Sequence, residues 1–187
     1  MQERERSKDR QKSTATLPPV AIVLGSESDW PKVEPAVLAL EEFGVGYTVS
    51  VMSAHRSPEL VREFASTAAE RGVKVILAAA GGAAHLAGVV AAHTILPVIG
   101  IPVPTDLAGG LDSLLSMVQM PGDVPVATVG VGIGGARNAG LLAVEILALN
   151  DPALQKRLWQ FKESLVEKVK SKDAALQARL EDRMRAR

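Results

Sequence analysis

A histidine and an arginine stand side by side in the segment Ser53-Ala54-His55-Arg56-Ser57-Pro58. Ser57 and Pro58 are typical of a helix start, and the dipole of a helix disfavours cations at that end. Helix energetics therefore do not explain why His55 and Arg56 occur there, whereas a bound dianion such as a phosphate would. The alternative is a surface loop in which the two charges are incidental.

The first loop, Gly25-Ser26-Glu27-Ser28-Asp29, fits two roles. Its glycine would let backbone N–H groups approach a phosphate at the start of a helix. Ser28 or Asp29 would equally serve as a helix cap. The small residues at 78–84 also have two explanations, because they allow either close helix–sheet packing or room for a flat ring. His85 follows them and fits a structural role as well as a catalytic one.

Several common chemistries lack the residues they need. The chain has no cysteine, so it offers no thiolate nucleophile, no cysteine-ligated zinc and no disulfide. The P-loop pattern, the His-Glu-x-x-His zinc motif and the Gly-x-Ser-x-Gly hydrolase motif are absent from the sequence. Residues 130–135 match Gly-x-Gly-x-x-Gly, but they follow the last predicted strand, so no later strand supplies a ribose-binding acid. A histidine proton shuttle beside an anion site, without a metal or an evident cofactor, is what remains.

The hydrophobic pattern predicts the elements that position these residues. Five short apolar runs lack polar alternation, as expected of parallel strands covered on both faces. Segments of helical period lie between them, which predicts a three-layer α/β fold with a doubly wound parallel sheet and right-handed crossovers. The predicted strands are 20–24, 47–51, 75–79, 98–101 and 126–129; the predicted helices start at about 29 and otherwise cover 57–71, 83–92, 110–117 and 136–149.

The topology of such a sheet predicts where a ligand binds. Ligands of an open parallel sheet bind beyond the carboxyl ends of the strands, next to the point where strand order reverses. In a flavodoxin-like order, the first strand lies between the second and third, which makes the first three strand-end loops neighbours. That order would gather Asp29, His55, Arg56 and His85 around one pocket.

The composition of the 187-residue chain restricts its partners. It has 21 basic and 21 acidic side chains, and this zero net charge, without a basic stripe, argues against nucleic-acid binding. Apolar stretches such as 73–80 are too short to span a membrane, and the N-terminus lacks the pattern of a signal peptide. We therefore expect a soluble, cytoplasmic protein with neither a nucleic-acid nor a membrane partner.

Three segments are predicted along the chain. Residues 1–19 are polar and charged and form a predicted disordered tail. Residues 20–149 form the domain that contains the sheet. Residues 150–187 form a C-terminal helix or helices with a narrow apolar stripe, which would lie on its own domain or on a neighbouring subunit. The segment Ser171-Lys172-Asp173 predicts a kink or a fresh helix start.

Six segments of the chain, taken in order, carry a family resemblance. They are GSESDWP (25–31), SAHRSP (53–58), AAAGGAAHLAG (78–88), LPVIGIPVP (96–104), GLDSLLSMVQMP (110–121) and VPVATVGVG (124–132). Together they resemble the class I phosphoribosylaminoimidazole carboxylase family, the N5-carboxyaminoimidazole ribonucleotide mutases of bacterial purine biosynthesis. The resemblance implies a flavodoxin-like catalytic domain in a homo-octamer, with a small-molecule nucleotide substrate, neither metal nor organic cofactor, and the C-terminal helix packed on a neighbouring subunit.

The resemblance also implies a role for each residue of the site. His55 matches the general acid/base, and His85 would line the pocket that holds carbon dioxide between decarboxylation and recarboxylation. Arg56 would hold the 5′-phosphate, and Asp29 would accept hydrogen bonds from the ribose hydroxyls. The predicted site thus consists of the catalytic residues His55 and His85 and the substrate-binding residues Gly25, Ser26, Ser28, Asp29, Ser53, Arg56, Gly81, Gly82 and Ala83.

Two other functions stay open on the sequence alone. A class II carboxylase would use free carbon dioxide and aminoimidazole ribonucleotide, although the segment Ala-Gly-Gly-Ala-Ala-His-Leu favours class I. A non-catalytic module that binds a phosphoribosyl ligand would not need the His55 imidazole for its function.

Overall fold

Five parallel strands form one sheet in the computed structural model, which describes residues 16–185. The strands are β1 (Val20–Leu24), β2 (Tyr47–Val51), β3 (Val75–Ala80), β4 (Val98–Pro102) and β5 (Ala127–Thr128). Their order in the sheet is β2-β1-β3-β4-β5, with helices on both faces. The predicted flavodoxin-like α/β fold is therefore confirmed, and strand order reverses between β1 and β3.

The apolar runs lie where the sheet is covered on both faces. Every residue of β1, β3 and β4 is buried, which explains why these strands carry no polar alternation. Ile22 at the centre of β1 is in register with Val49 on β2 and Leu77 on β3. The edge strand β2 is less covered, and Val49 and Val51 are exposed.

In the described part of the chain, one α-helix follows each strand, and a sixth α-helix follows the helix after β5. One 3₁₀ turn over Glu27–Asp29 precedes the first helix. The proline at the start of the first two helices occupies the position where a missing N–H costs nothing, as predicted. The helices are α1 (Trp30–Glu42), α2 (Pro58–Thr67), α3 (Leu86–Ala91), α4 (Leu111–Val118), α5 (Ile133–Ala148) and α6 (Pro152–Arg185).

The regular part of helix α2 ends at Thr67, four residues before the predicted end at Arg71. The chain continues in turns, and the Val73 N–H donates to the Ala68 carbonyl while the Gly72 N–H donates to the Ala69 carbonyl. This pair of bonds is a Schellman motif, and Gly72 has the positive φ of 97° that the motif requires. Gly72 therefore terminates the helical segment, as the sequence predicts.

The last residues of the predicted tail make backbone hydrogen bonds to the rest of the chain. The Leu17 N–H donates to the Arg71 carbonyl at 2.7 Å, and the Pro19 carbonyl accepts the N–H groups of Lys74 and Val75. Residues 17–19 are therefore held by backbone bonds to the segment that leads into β3. The rest of the predicted tail, residues 1–15, lies outside the described residues.

Helices α1 and α5 approach each other closely at a glycine. A Cβ added at Gly140 would overlap the carbonyl oxygen of Ala36 and come within 2.9 Å of the Ala39 methyl. The glycine-rich segment 130–135 forms a turn into α5, where a Cβ on Gly135 would overlap the Gly130 carbonyl. Close packing in this segment is confined to Gly135, since a Cβ on Gly130, Gly132 or Gly134 would meet no heavy atom within 4 Å.

Helix α6 belongs to a second compact unit, which begins at Leu147, while the first unit ends at Ile146. The Asp151 side chain caps this helix by accepting the N–H groups of Ala153 and Leu154 at 2.9 and 3.0 Å. The helix then continues without interruption through Ser171-Lys172-Asp173, so the predicted fresh start there is wrong. Neither proline nor glycine occurs in the helix after its first residue, and the three polar residues are tolerated in an exposed helix.

Candidate active site

A cavity of about 430 Å³ opens at the carboxyl ends of β1, β2, β3 and β4. This is the edge of the sheet at which the topology predicts a ligand. Nine of the eleven predicted site residues lie in its wall, from three separate loops. They are Gly25, Ser26, Asp29, Ser53, His55, Arg56, Gly81, Ala83 and His85.

The other two predicted residues, Ser28 and Gly82, are not in the cavity wall. The Ser28 hydroxyl lies 2.8 Å from that of Ser26, beside a shallower surface cavity. The Gly82 N–H donates to the hydroxyl of Ser113 at 3.0 Å. Gly82 is therefore next to the wall without presenting its amide to the cavity.

The two histidines of the cavity are in direct contact. His55 Nε2 and His85 Nδ1 are 2.8 Å apart, and the rings meet edge to face with centroids 4.9 Å apart. Both side chains are exposed, so a ligand in the cavity can reach them. His85 occupies the N-cap position of α3 but makes no capping bond with its side chain. Its partner is His55, from a different loop.

The loop that carries His55 and Arg56 is fixed by two serines. The Ser53 hydroxyl accepts the backbone N–H groups of His55 and Arg56 at 3.3 and 3.2 Å. The Ser57 hydroxyl accepts the Ser53 N–H at 2.9 Å and donates back to the Ser53 carbonyl. These local bonds hold the turn before α2, and the side chains of His55 and Arg56 line the cavity.

Arg56 faces the loop that follows β1. One of its guanidinium nitrogens donates to the Gly25 carbonyl at 3.0 Å. A guanidinium has five N–H donors in a planar fork, so others are left for a ligand oxygen. Arg56 is therefore placed to bind an anion beside the Gly25 backbone.

Asp29 is a nearly buried carboxyl group in the cavity wall, with 9% of its surface exposed. Burial raises the pKa of this carboxyl, while the charge of Lys32 and the backbone N–H of Ser26 act in the opposite direction. Asp29 occupies the N-cap position of α1, yet its side chain makes no capping hydrogen bond. The capping explanation for Asp29 is therefore not supported, and its carboxylate is available to a ligand.

Comparison with known proteins gives the family. The family model described as AIR carboxylase matches residues 19–168. The chain belongs to the AIR carboxylase family. This match includes every residue of the cavity wall, because the wall extends only from Gly25 to Thr105.

Curated relatives of this AIR carboxylase family member cover most of the chain. A Mycobacterium tuberculosis protein is 56% identical over 160 residues, which are 86% of this chain and 91% of the relative. A Synechocystis protein is 52% identical over 164 residues, which are 88% of this chain and 92% of the relative. Both are named N5-carboxyaminoimidazole ribonucleotide mutase.

Solved structures of similar chains have the same fold. The crystal structure of Treponema denticola PurE superposes with a TM-score of 0.76 at 30% identity. It covers 84% of this chain and 97% of the Treponema chain. The fold of this AIR carboxylase family member is thus established independently of the site.

The cavity wall of this family member contains one charged residue that the sequence analysis missed. Lys32 lies in the wall, and its ammonium group donates to the Pro104 carbonyl at 3.2 Å. A signal for it existed, because Lys32 is a cation in the first turn of α1, where the helix dipole disfavours it. The same argument identified Arg56. The remaining residues that were missed are Ala54, Ala80, Leu86, Val103, Pro104 and Thr105.

Two further findings concern metal binding and membrane-spanning helices in this family member. Among residues 16–185, no group of three or more histidine and carboxylate side chains is arranged to hold a metal ion. Within the same residues, none of the helices is both long and apolar enough to cross a membrane. Catalysis without a metal or organic cofactor stays a prediction.

Proposed function

We propose that this chain is an N5-carboxyaminoimidazole ribonucleotide mutase of purine biosynthesis. The reaction moves a carboxylate from the exocyclic nitrogen of the substrate to ring carbon 4 and yields 4-carboxyaminoimidazole ribonucleotide. The names of relatives at 52–56% identity support this activity. The observation on this chain that carries the proposal is the contact between His55 and His85 in a cavity that also contains Arg56 and Asp29.

The reaction needs one proton carrier and no net proton. Cleavage of the N–C bond releases carbon dioxide, and the exocyclic nitrogen takes up a proton. Carbon dioxide then forms a bond to C4, and the C4 proton leaves. One group that first donates and then accepts balances both steps, and histidine suits this because it exchanges protons near neutral pH. We assign this role to His55.

The His85 ring gives this proton carrier a partner. A hydrogen bond between two imidazoles needs one N–H and one lone pair. The neutral pair and the singly protonated pair both keep the bond, whereas a doubly protonated pair loses it. The His55–His85 pair can therefore gain and lose one proton without a rearrangement, which is what the two steps require.

The other polar groups of the wall suit the two ends of a nucleotide. Arg56 would bind the 5′-phosphate with charge-assisted hydrogen bonds beside Gly25. The Asp29 carboxylate would accept hydrogen bonds from the ribose hydroxyls. The cavity volume of about 430 Å³ is in the range of sites that enclose small molecules.

Four finer statements belong to the same proposal. We infer a cytoplasmic location from the composition of the chain, and a homo-octamer and catalysis without a cofactor from the resemblance of the six segments to class I enzymes. The packing of residues 150–187 on a neighbouring subunit has the same basis.

Two parallel assays test the proposed activity. One supplies N5-carboxyaminoimidazole ribonucleotide, and the other supplies aminoimidazole ribonucleotide with bicarbonate. We expect turnover of the carboxylated substrate. Turnover only in the second assay would reassign the chain to class II, and binding of both nucleotides without turnover would make it a non-catalytic module.

A further inference from the structure

Helix α4 holds the loop over residues 81–83, which forms one side of the cavity. The Gly82 N–H donates to Ser113 Oγ at 3.0 Å, and the Ser116 hydroxyl donates to the Gly82 carbonyl at 3.3 Å. The Ser113 hydroxyl itself donates to the carbonyl oxygen of Val103 at 2.7 Å. One hydroxyl group therefore joins the loop after β3 to the end of β4.

Ser113 is a fully buried polar residue, with 0% of its surface exposed. A buried hydroxyl costs stability unless it is hydrogen-bonded, and this one is used both as acceptor and as donor. Its partners Gly82 and Val103 are 31 and 10 residues away in the sequence. These bonds therefore fix the relation between separate loops and do not serve as a local cap of α4.

The central residue of the loop, Gly82, has open space where a side chain would lie. Gly82 has a φ of +68°, and a Cβ built on it would meet no heavy atom within 4 Å. Its neighbours Gly81 and Ala83 both line the cavity. Gly82 is joined to α4 by hydrogen bonds, while the adjacent Gly81 packs against Val103 and Thr105.

A second connection joins α4 to the cavity wall. The hydroxyl of Thr105, which lines the cavity, donates to Asp112 Oδ1 at 2.6 Å. The same carboxylate oxygen accepts the Ser113 N–H at 2.8 Å. The Thr105 bond also lowers the pKa of Asp112, so this acceptor stays ionised. The first turn of α4 is therefore fixed against the loop after β4.

We propose that Ser113 is a positioning residue for the mutase reaction, acting through the Gly82 peptide. It keeps Gly81 and Ala83 in place so that carbon dioxide, once released from the exocyclic nitrogen, stays beside the substrate until it bonds to C4. This inference rests on the proposed function. It also gives Gly82 an indirect role, because its amide is directed to Ser113 and not to the cavity.

Isotope partitioning with Ser113→Ala tests the inference. The purified full-length chain converts unlabelled N5-carboxyaminoimidazole ribonucleotide in ¹³C-bicarbonate with carbonic anhydrase, beside a blank without enzyme. Wild type should yield product with little label. The variant should yield product that is mostly labelled, because the released carbon dioxide escapes and is replaced by labelled carbon dioxide. Its kcat should fall on the order of tenfold with KM within about twofold, because displacement of catalytic geometry affects chemistry more than binding.

The control variant is Ser66→Ala, which removes a hydroxyl that bonds only the Glu63 carbonyl of its own helix α2. It should match wild type in kcat and in label. A Ser113→Ala enzyme that folds and gives product as free of label as wild type would overturn the inference, whatever its stability.

Hydrogen exchange of wild type tests the contact even if the variant does not fold. With fragmentation mass spectrometry that resolves Gly82, its amide should exchange at least about 100-fold more slowly than an unprotected amide. Exchange at the unprotected rate would overturn the inference by itself. A wild type without mutase turnover would refute the proposed function, and slow Gly82 exchange would then still establish the loop contact.

Discussion

At the scale of single residues, the proposed chemistry depends on the hydrogen bond between His55 and His85. It joins two loops that are 30 residues apart and places a proton acceptor next to a proton donor. Arg56 and Asp29 lie in the same wall, where we propose that they bind the two ends of a nucleotide. Removing one imidazole should therefore affect chemistry far more than binding.

The variant His55→Asn should lose turnover while it keeps the nucleotide. An amide cannot carry a proton, so kcat should fall on the order of 100- to 10,000-fold, with nucleotide affinity within a few fold. Steady-state kinetics and calorimetry measure the two quantities. His93→Asn is the matched control, because His93 is exposed and lies outside the cavity. Near-normal kcat in His55→Asn would remove His55 from the mechanism.

The variant Asp29→Asn should become more stable relative to wild type as the pH rises. Because burial raises the pKa of Asp29, the folded chain binds this proton more tightly than the unfolded chain. Wild type therefore loses free energy of unfolding as the pH rises from the ordinary value of 3.8 through the raised value. The asparagine variant lacks this loss.

Urea unfolding of both proteins at several pH values measures the difference. The asparagine variant should have the higher free energy of unfolding at neutral pH and no such advantage below the ordinary pKa of an aspartate. An advantage of equal size at both ends of the range would mean that ionisation of Asp29 does not oppose folding.

Residues of the cavity wall were predictable where the residue type is unfavourable for the local secondary structure. His55 and Arg56 drew attention because helix energetics do not favour basic side chains at a helix start. Lys32 has the same signature and was missed. Ser113 could not be found in this way, since a serine in the first turn of a helix is ordinary and its bond to Gly82 depends on tertiary structure.

At the scale of elements, α1 and α5 pack closely where Gly140 meets Ala36. The variant Gly140→Ala should lower the free energy of unfolding by about 1–3 kcal/mol, because the methyl group forces the helices apart. Gly134→Ala in the same helix is the control, since its Cβ would meet nothing within 4 Å. This control should be neutral or stabilising by up to about 1 kcal/mol. Equal effects of the two variants would contradict the close packing.

Strands were easier to predict than helix ends. The bounds of β1 and β2 match the prediction. The continuous apolar run of β1 reflects burial on both faces, whereas β2 is an edge strand with a partly exposed face. Strand β5 has only two residues. Val129, the residue after the strand, still donates its N–H to the carbonyl of Gly100 on β4. The end of α2 depends on a Schellman turn, and the placement of Leu17 depends on its bond to Arg71, so neither follows from periodicity.

At the scale of the whole molecule, the zero net charge provides no long-range attraction for an anion, so the proposed binding of a phosphate depends on groups within the cavity. The cavity position was predictable, because it follows from the strand order alone. The assembly was not, since no contact with another copy can be derived from one chain.

The proposed homo-octamer predicts a mass in solution. Sedimentation equilibrium of the full chain should give about eight times the subunit mass of 19.7 kDa. A mass of one or two subunits over the working concentration range would contradict the octamer, without affecting the assignment of the cavity.

A crystal structure with 4-carboxyaminoimidazole ribonucleotide tests the central claim most directly. The phosphate should contact Arg56, the ribose hydroxyls should contact Asp29, and the imidazole ring should lie within hydrogen-bonding distance of His55. A nucleotide bound with its phosphate away from Arg56, or with its ring out of reach of both His55 and His85, would contradict the proposed mechanism.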